Sequence, residues 1–229
     1  MVWRTSPRLG VKARSNRHAT HRNDPGSTGP APRPRVAGDL PPAREVRAHP
    51  QLADLRTRLH NAQPGDRILD IGCGPADVLA ELPDGIDYVG FDQSEHYIDS
   101  ARQRHGARGQ FFPGIVDLAL VDRLGAASFD IVIAHGLLHH LDDREATEFF
   151  SLARAALRPG GRLVTADGCY LAGQSRIARL LLQMDRGRHV RTEAEYVALA
   201  SQSFAAPAAF VRHDSAYVPY TQVYLVCQA

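Results

Sequence analysis

From about residue 50 onward, hydrophobic and polar positions follow two alternating rhythms. In Gln51–Asn61, Leu52, Leu55 and Leu59 fall at helical spacing and predict a short amphipathic helix. Gln63-Pro64-Gly65-Asp66 is a turn. The continuous apolar run Arg67–Ile71 then predicts a buried strand, and Pro75–Leu82 a helix with proline at its first position. Tyr88–Phe91 reads as a second strand. Ser94–His105 reads as a helix with Ser94 as its cap and Tyr97 and Ile98 facing inward. Gln110–Phe112 is a short third strand, Val116–Leu124 a short helix, Phe129–Ala134 a fourth strand and Asp142–Leu157 a long helix. The Pro159-Gly160-Gly161 turn leads into a fifth strand, Arg162–Ala166. Beyond it, Gly173–Met184 and Thr192–Ser203 have helical patterns, and Ala209–His213 and Thr221–Val226 read as two closing strands.

Strands alternating with helices of this length predict an α/β fold: a doubly wound, mostly parallel sheet with helices on both faces. Right-handed crossovers make the C-terminal ends of the strands the ligand edge.

Composition changes this picture mainly at the N-terminus. Residues 1–42 carry eight basic side chains against Asp24 and Asp39, and are rich in Pro, Gly, Ser and Thr. Such a segment cannot bury enough surface to offset its ordering entropy, so a disordered tail is expected, followed by one domain over 43–229. That domain holds 19 basic and 23 acidic residues, a mildly acidic balance that argues against a broad nucleic-acid surface. The longest apolar runs, such as Ile131–Ala134, fall far short of the roughly 20 residues a membrane span needs. Cys73, Cys169 and Cys227 are odd in number and far apart, which suits a reducing cytoplasm and no disulfide framework.

The segment with the clearest chemistry is Arg67-Ile68-Leu69-Asp70-Ile71-Gly72-Cys73-Gly74-Pro75-Ala76, an apolar strand running into a glycine turn. Glycines let the backbone approach a ligand without a Cβ in the way. An acid at the strand end, Asp70, suits a ligand carrying positive charge there. The second strand ends at Asp92, 22 positions after Asp70, where dinucleotide-type folds hold a ribose diol. The third glycine of a nicotinamide fingerprint is replaced by Asp77.

With these segments, Ser128-Phe129-Asp130-Ile131-Val132-Ile133-Ala134, Leu137-Leu138-His139-His140-Leu141-Asp142-Asp143 and Leu157-Arg158-Pro159-Gly160-Gly161-Arg162-Leu163 follow in order. Together they resemble the seven-stranded (class I) S-adenosylmethionine-dependent methyltransferase superfamily, in its small-molecule type, over about residues 43–168. The resemblance implies a Rossmann-like sheet and S-adenosyl-L-methionine as cofactor. It also implies cofactor contacts at Asp70, Gly72, Gly74, Asp92, Gln93, Asp117 and His135. At Asp117 the match is loose, because Val116 holds the place where an acid is more usual.

Methyl transfer to a hydroxyl or amine leaves a proton to remove, so His139 and His140, at the expected ligand edge, are candidate general bases. The competing explanation is that they cap the next helix or pack against the cofactor. His135 and His139 are four residues apart, but no acidic partner set accompanies them, so no metal is expected. Arg176, Arg179, Arg186, Arg188 and Arg191 crowd the stretch after the fifth strand. Arg186 and Arg188, on either side of Gly187, are candidate ligands for an anionic acceptor; a solvated charged helix face explains them equally simply. The expected activity is methyl transfer to an oxygen or nitrogen of a small molecule, with neither nucleic acid nor membrane as partner. A cofactor-binding member without methylating activity is the alternative.

Overall fold

The computed structural model describes residues 50–184, 187–213 and 220–229. The expected tail over 1–42 and the candidate ligand Arg186 lie outside the described residues. The helices are α1 (Pro50–His60), α2 (Glu95–His105), α3 (Leu118–Leu124), α4 (Asp143–Ala156), α5 (Arg176–Met184) and α6 (Glu193–Ala200). The strands are β1 (Arg67–Ile71), β2 (Asp87–Asp92), β3 (Gly109–Pro113), β4 (Phe129–His135), β5 (Leu157–Tyr170), β6 (Arg191–Thr192), β7 (Ala208–Arg212) and β8 (Gln222–Gln228).

The sheet runs β3-β2-β1-β4-β5-β8-β7, with the two-residue β6 pairing beside β5. Strands β1 to β5 are parallel to one another, while β8 is antiparallel to β5 and to β7. Order reverses between β1 and β4, which places the ligand crevice at their C-terminal ends.

Both faces of the sheet are covered, so its central strands alternate between two cores rather than between core and water. Leu69, Val132, Leu163 and Leu225 join Phe149, Phe150, Tyr196 and Ala200 of α4 and α6 on one side. Ile68, Ile131, Ile133 and Val164 join Ile98 and Ala101 of α2 and Leu59 of α1 on the other.

Helix ends follow local chemistry. The Ser94 hydroxyl accepts the Tyr97 N–H at 3.3 Å. Asp142 and Glu145 form a reciprocal capping box at the start of α4, and Thr192 and Glu195 form another at α6.

Two expectations are corrected. Pro75–Leu82 is not an α-helix; only a 3₁₀ turn, Asp77–Glu81, forms there. Left-handed backbone at Gly72, Gly74 and Ala76 (φ 77°, 54° and 58°) uses up the residues that would have opened a helix, and Pro83 closes the segment. The fifth strand also runs past Ala166 to Tyr170. Its turn survives as a break in register, with Phe129 facing Leu157 but Ile131 facing Arg162. The extension is held by β8, where Asp167 faces Val223 and Gly168 faces Gln222. No described helix is long and apolar enough to cross a membrane.

Candidate active site

The loop after β1 folds back onto the end of β2. The N–H groups of Gly72 and Cys73 both donate to the carbonyl of Phe91, at 2.8 and 2.9 Å. This approach needs a glycine opposite: a Cβ at Gly90 would lie 2.9 Å from Sγ of Cys73. Gly72 itself needs left-handed backbone that other residues rarely adopt.

The Asp92 carboxylate sits where the two loops meet. Its Oδ2 accepts the Gly74 N–H at 3.0 Å and its Oδ1 accepts the Ser94 N–H at 2.8 Å. Backbone thus fixes its orientation before any ligand arrives. Gln93, the next residue, is exposed. Asp117 is exposed too and caps α3, accepting the Leu120 N–H at 2.7 Å.

Asp70 is buried, 2 % exposed, and accepts a hydrogen bond from the Tyr88 hydroxyl. Burial pushes its carboxyl up to about 7; the Asp92 charge adds to the effect and the Tyr88 hydroxyl opposes it. Among the described residues no ion pair to Asp70 accompanies the Tyr88 bond.

His135 ends β4 and stacks on His60 of α1, with ring centroids 5.1 Å apart and Nε2 atoms 3.3 Å apart. His60 is fully buried, and its Nδ1 has no hydrogen-bond partner among the described residues. Burial holds both imidazoles neutral, pushing His60 down to about 3 and His135 well below its usual value; the Arg56 charge adds to both. Sequence patterning flagged His135 but missed His60, which lay at the end of an ordinary amphipathic helix.

His139 and His140 lie on a 3₁₀ turn, Leu138–His140, just past β4. The two differ sharply: His139 is 6 % exposed, His140 is exposed at the surface. Nδ1 of His139 lies 2.8 Å from Oδ1 of Asp167, and that oxygen also accepts the backbone N–H of His139 at 3.2 Å. Asp167 is 1 % exposed, and its Oδ2 has no hydrogen-bond partner among the described residues. Asp167 was not a sequence candidate. It lies in the part of β5 that periodicity did not reveal.

The segment 187–191 lies against this pair. A Cβ at Gly187 would fall 2.0 Å from Cδ2 of His139, and the His189 N–H donates to the His139 carbonyl at 2.9 Å. Among the described residues, Arg179, Arg188 and Arg191 have different surroundings. Arg179 stands 5.1 Å over the Tyr170 ring, Arg191 is buried, and Arg188 is exposed beside Gly187.

The residues present are chemically compatible with S-adenosylmethionine. Asp70 could offer a buried anion to its cationic amino-acid end, and Asp92 could offer an acceptor to its ribose, beside left-handed glycines that leave room.

Known proteins bear on the same region. Residues 69–163 match the family described as "Methyltransferase domain". O-methyltransferase rstn1 of Aspergillus nomiae is 34% identical over 131 residues, covering 54% of this chain and 55% of that protein. The 27-O-demethylrifamycin SV methyltransferase of Amycolatopsis mediterranei is 31% identical over 126 residues, covering 51% of this chain and 44% of that protein. The chain thus spans about half the length of the curated relatives it matches. Among solved structures, geranyl diphosphate methyltransferase with GPP and sinefungin superposes with a TM-score of 0.61 at 13% identity, over 78% of each chain. A possible exported protein from Bordetella parapertussis gives a TM-score of 0.59 at 21% identity, over 78% of this chain and 66% of that one.

Proposed function

We propose that this chain is a class I S-adenosylmethionine-dependent methyltransferase that moves a methyl group from that cofactor to an oxygen of a hydroxylated small molecule, as its methyltransferase-domain match and its relatives support. The observation that carries the chemistry is the buried contact between His139 Nδ1 and Asp167 Oδ1 at 2.8 Å, at the ligand edge. Several relatives are named O-methyltransferases, which supports oxygen as the acceptor atom.

When bound, the cofactor supplies an electrophilic methyl on a sulfonium leaving group. Asp70 holds the cationic amino-acid end, Gly72 and Gly74 make room for it, and Asp92 accepts from the ribose. Gln93, Asp117 and His135 line the same edge, with Asp117 toward the adenine amine. Asp167 holds His139 with its proton on Nδ1, so Nε2 is the atom that receives the acceptor's proton as the new O–C bond forms. Asp167 then stabilises the imidazolium that results. His140 and Arg188, both exposed nearby, are the candidates for steering an anionic acceptor into place.

Two measurements test this reading. Calorimetry should show S-adenosylhomocysteine binding at micromolar strength or better and no binding of NADH. A panel of hydroxylated metabolites incubated with methyl-labelled cofactor should yield a labelled ether or ester. Folded protein that ignores S-adenosylhomocysteine would defeat the proposal outright.

A further inference from the structure

Arg191 is the buried cation beside the His139 turn, and its donors are fully occupied by protein. A guanidinium carries five N–H donors, and here each has an acceptor. Nε and Nη2 donate to Oδ1 of Asp143 at 3.0 and 2.8 Å. Nη1 donates to the carbonyls of Leu138 and His189, both at 3.0 Å. Nη2 also donates to the carbonyl of Leu141 at 2.7 Å.

The choice of acceptors is informative. Leu138 and Leu141 bracket His139 and His140 in the chain, so the guanidinium grips both ends of the turn that carries them. Arg191 is equally tied to the acid's side of the site. Its own backbone pairs with Cys169 of β5, two residues past Asp167. Its guanidinium stands 5.7 Å from the ring of Tyr196, whose hydroxyl donates to the Gly168 carbonyl at 3.1 Å. Arg191 therefore spans the gap between the strand bearing Asp167 and the turn bearing His139.

We infer that Arg191 is a positioning residue for the His139–Asp167 pair, holding the imidazole in register with the carboxylate. This rests on the proposed role of that pair. Asp167 meets His139 at Nδ1 and at its backbone N–H, and both contacts depend on where the three-residue 3₁₀ turn sits. Arg191 fixes the carbonyls on both sides of that turn. Lysine cannot replace the arginine here, because a point charge on a flexible stem does not make five bonds to four acceptors in one plane. Among the described residues its one carboxylate partner, Asp143, is itself 83 % exposed, so most of the grip falls on neutral carbonyls. The arrangement therefore aims the turn more than it pairs charges.

The test needs no knowledge of the acceptor. Protein labelled with ¹⁵N-histidine and saturated with S-adenosylhomocysteine reports the tautomer of each imidazole by two-bond nitrogen–proton correlation, with His139→Gln assigning the signal. The unaltered protein should show His139 as a single tautomer with its proton on Nδ1. In Arg191→Lys and Arg191→Met, a second tautomer should appear or the signal should broaden to loss. Affinity for S-adenosylhomocysteine should stay within about twofold, as for distant sites without shared partners. Should the Arg191 variants fail to fold, Asp143→Ala sits at an exposed helix start and removes two of the five bonds. It should broaden the same signal to a smaller degree. An unchanged His139 signal in Asp143→Ala, or in any folded Arg191 variant, overturns the inference. Asp167→Asn separates the two levels of the argument. If it leaves the tautomer untouched, the reading of the pair has failed; if it shifts the tautomer and the Arg191 variants do not, only the role of Arg191 has.

Discussion

The crevice has two walls built on different principles. On the β1–β2 side, contacts reach at most 19 residues and run largely through backbone: Gly72 and Cys73 to Phe91, Asp92 to Gly74 and Ser94. On the β4–β5 side, contacts reach further and run through side chains: His139 reaches 28 residues to Asp167, and Arg191 reaches 53 back to Leu138. The first wall follows from a glycine turn laid against the neighbouring strand. The second exists only once the sheet has assembled and β8 has extended β5. Binding of the cofactor and removal of the acceptor's proton should therefore be separable by substitution.

The sharpest way to break that separation is at His139. His139→Gln should lower kcat by about 10²–10⁴-fold, the usual contribution of a positioned base, once an acceptor is in hand. S-adenosylhomocysteine affinity by calorimetry should be unchanged. A joint loss of both would mean that the two walls form a single site. A variant with unimpaired kcat would assign catalysis to positioning of donor and acceptor alone.

Asp92→Ala attacks the other wall and should produce the reverse pattern. Cofactor affinity should fall by about 1.5–3 kcal/mol, the range for losing hydrogen bonds to a charged group. The loss includes the restraint that Asp92 places on the Gly74 and Ser94 N–H groups. The His139 tautomer should not move. Cofactor affinity equal to that of the unaltered protein would remove Asp92 from the binding site.

The contrast between the walls also explains what could be read from sequence. Strands β1, β2 and β4 were legible to within a residue or two, as was the cap at Ser94, because apolar runs and cap chemistry are local. The helix expected from Pro75 was not, since left-handed backbone at Gly72, Gly74 and Ala76 leaves no pattern beyond the glycines. Asp167 escaped because Thr165-Ala166-Asp167-Gly168 contains poor strand formers, and only the pairing with β8 makes it strand. His60 looked like the polar end of α1 until its ring was found stacked on His135. Arg191 stood among five arginines that composition cannot tell apart.

Acidity gives a third, smaller test, because two buried groups titrate in opposite senses. The Asp70 carboxyl, at about 7, must be ionised to meet a cationic ligand. Binding of S-adenosylmethionine should therefore weaken by up to about tenfold for each pH unit below 7 and level off above it. For stability of the free protein the sign reverses. A raised carboxyl pKa favours the fold at low pH, and that contribution is lost as pH rises through about 7. The neutral imidazoles of His60 and His135 favour the fold above the unfolded histidine value of about 6.5, and their contribution is lost as pH falls through it. Thermal melting should rise from about pH 5 to about 6.5, where the two imidazoles outweigh the single carboxyl, and level off above about 7. Asp70→Asn should steepen that rise, and His60→Phe should flatten it. A flat binding profile over the same range would show that Asp70 does not face the cofactor's charge.

The smallest effect belongs to Arg188, and it bears on whether the second wall also selects the acceptor. Arg188 is exposed, and its neighbour Gly187 lies against the His139 ring, so its charge is near the acceptor's entrance without being buried there. An exposed guanidinium meeting an anion in water contributes about 0.2–1 kcal/mol. Arg188→Ala should accordingly raise KM for an anionic acceptor by no more than about fivefold, leave kcat alone, and lose its effect as salt is raised. Arg188→Lys should recover most of the loss, because steering depends on charge rather than on the planar fork. A much larger rise in KM, one that salt does not erase and lysine does not rescue, would mean that the 187–191 segment closes over the acceptor and desolvates this arginine. The β4–β5 wall would then recognise its substrate as well as deprotonate it.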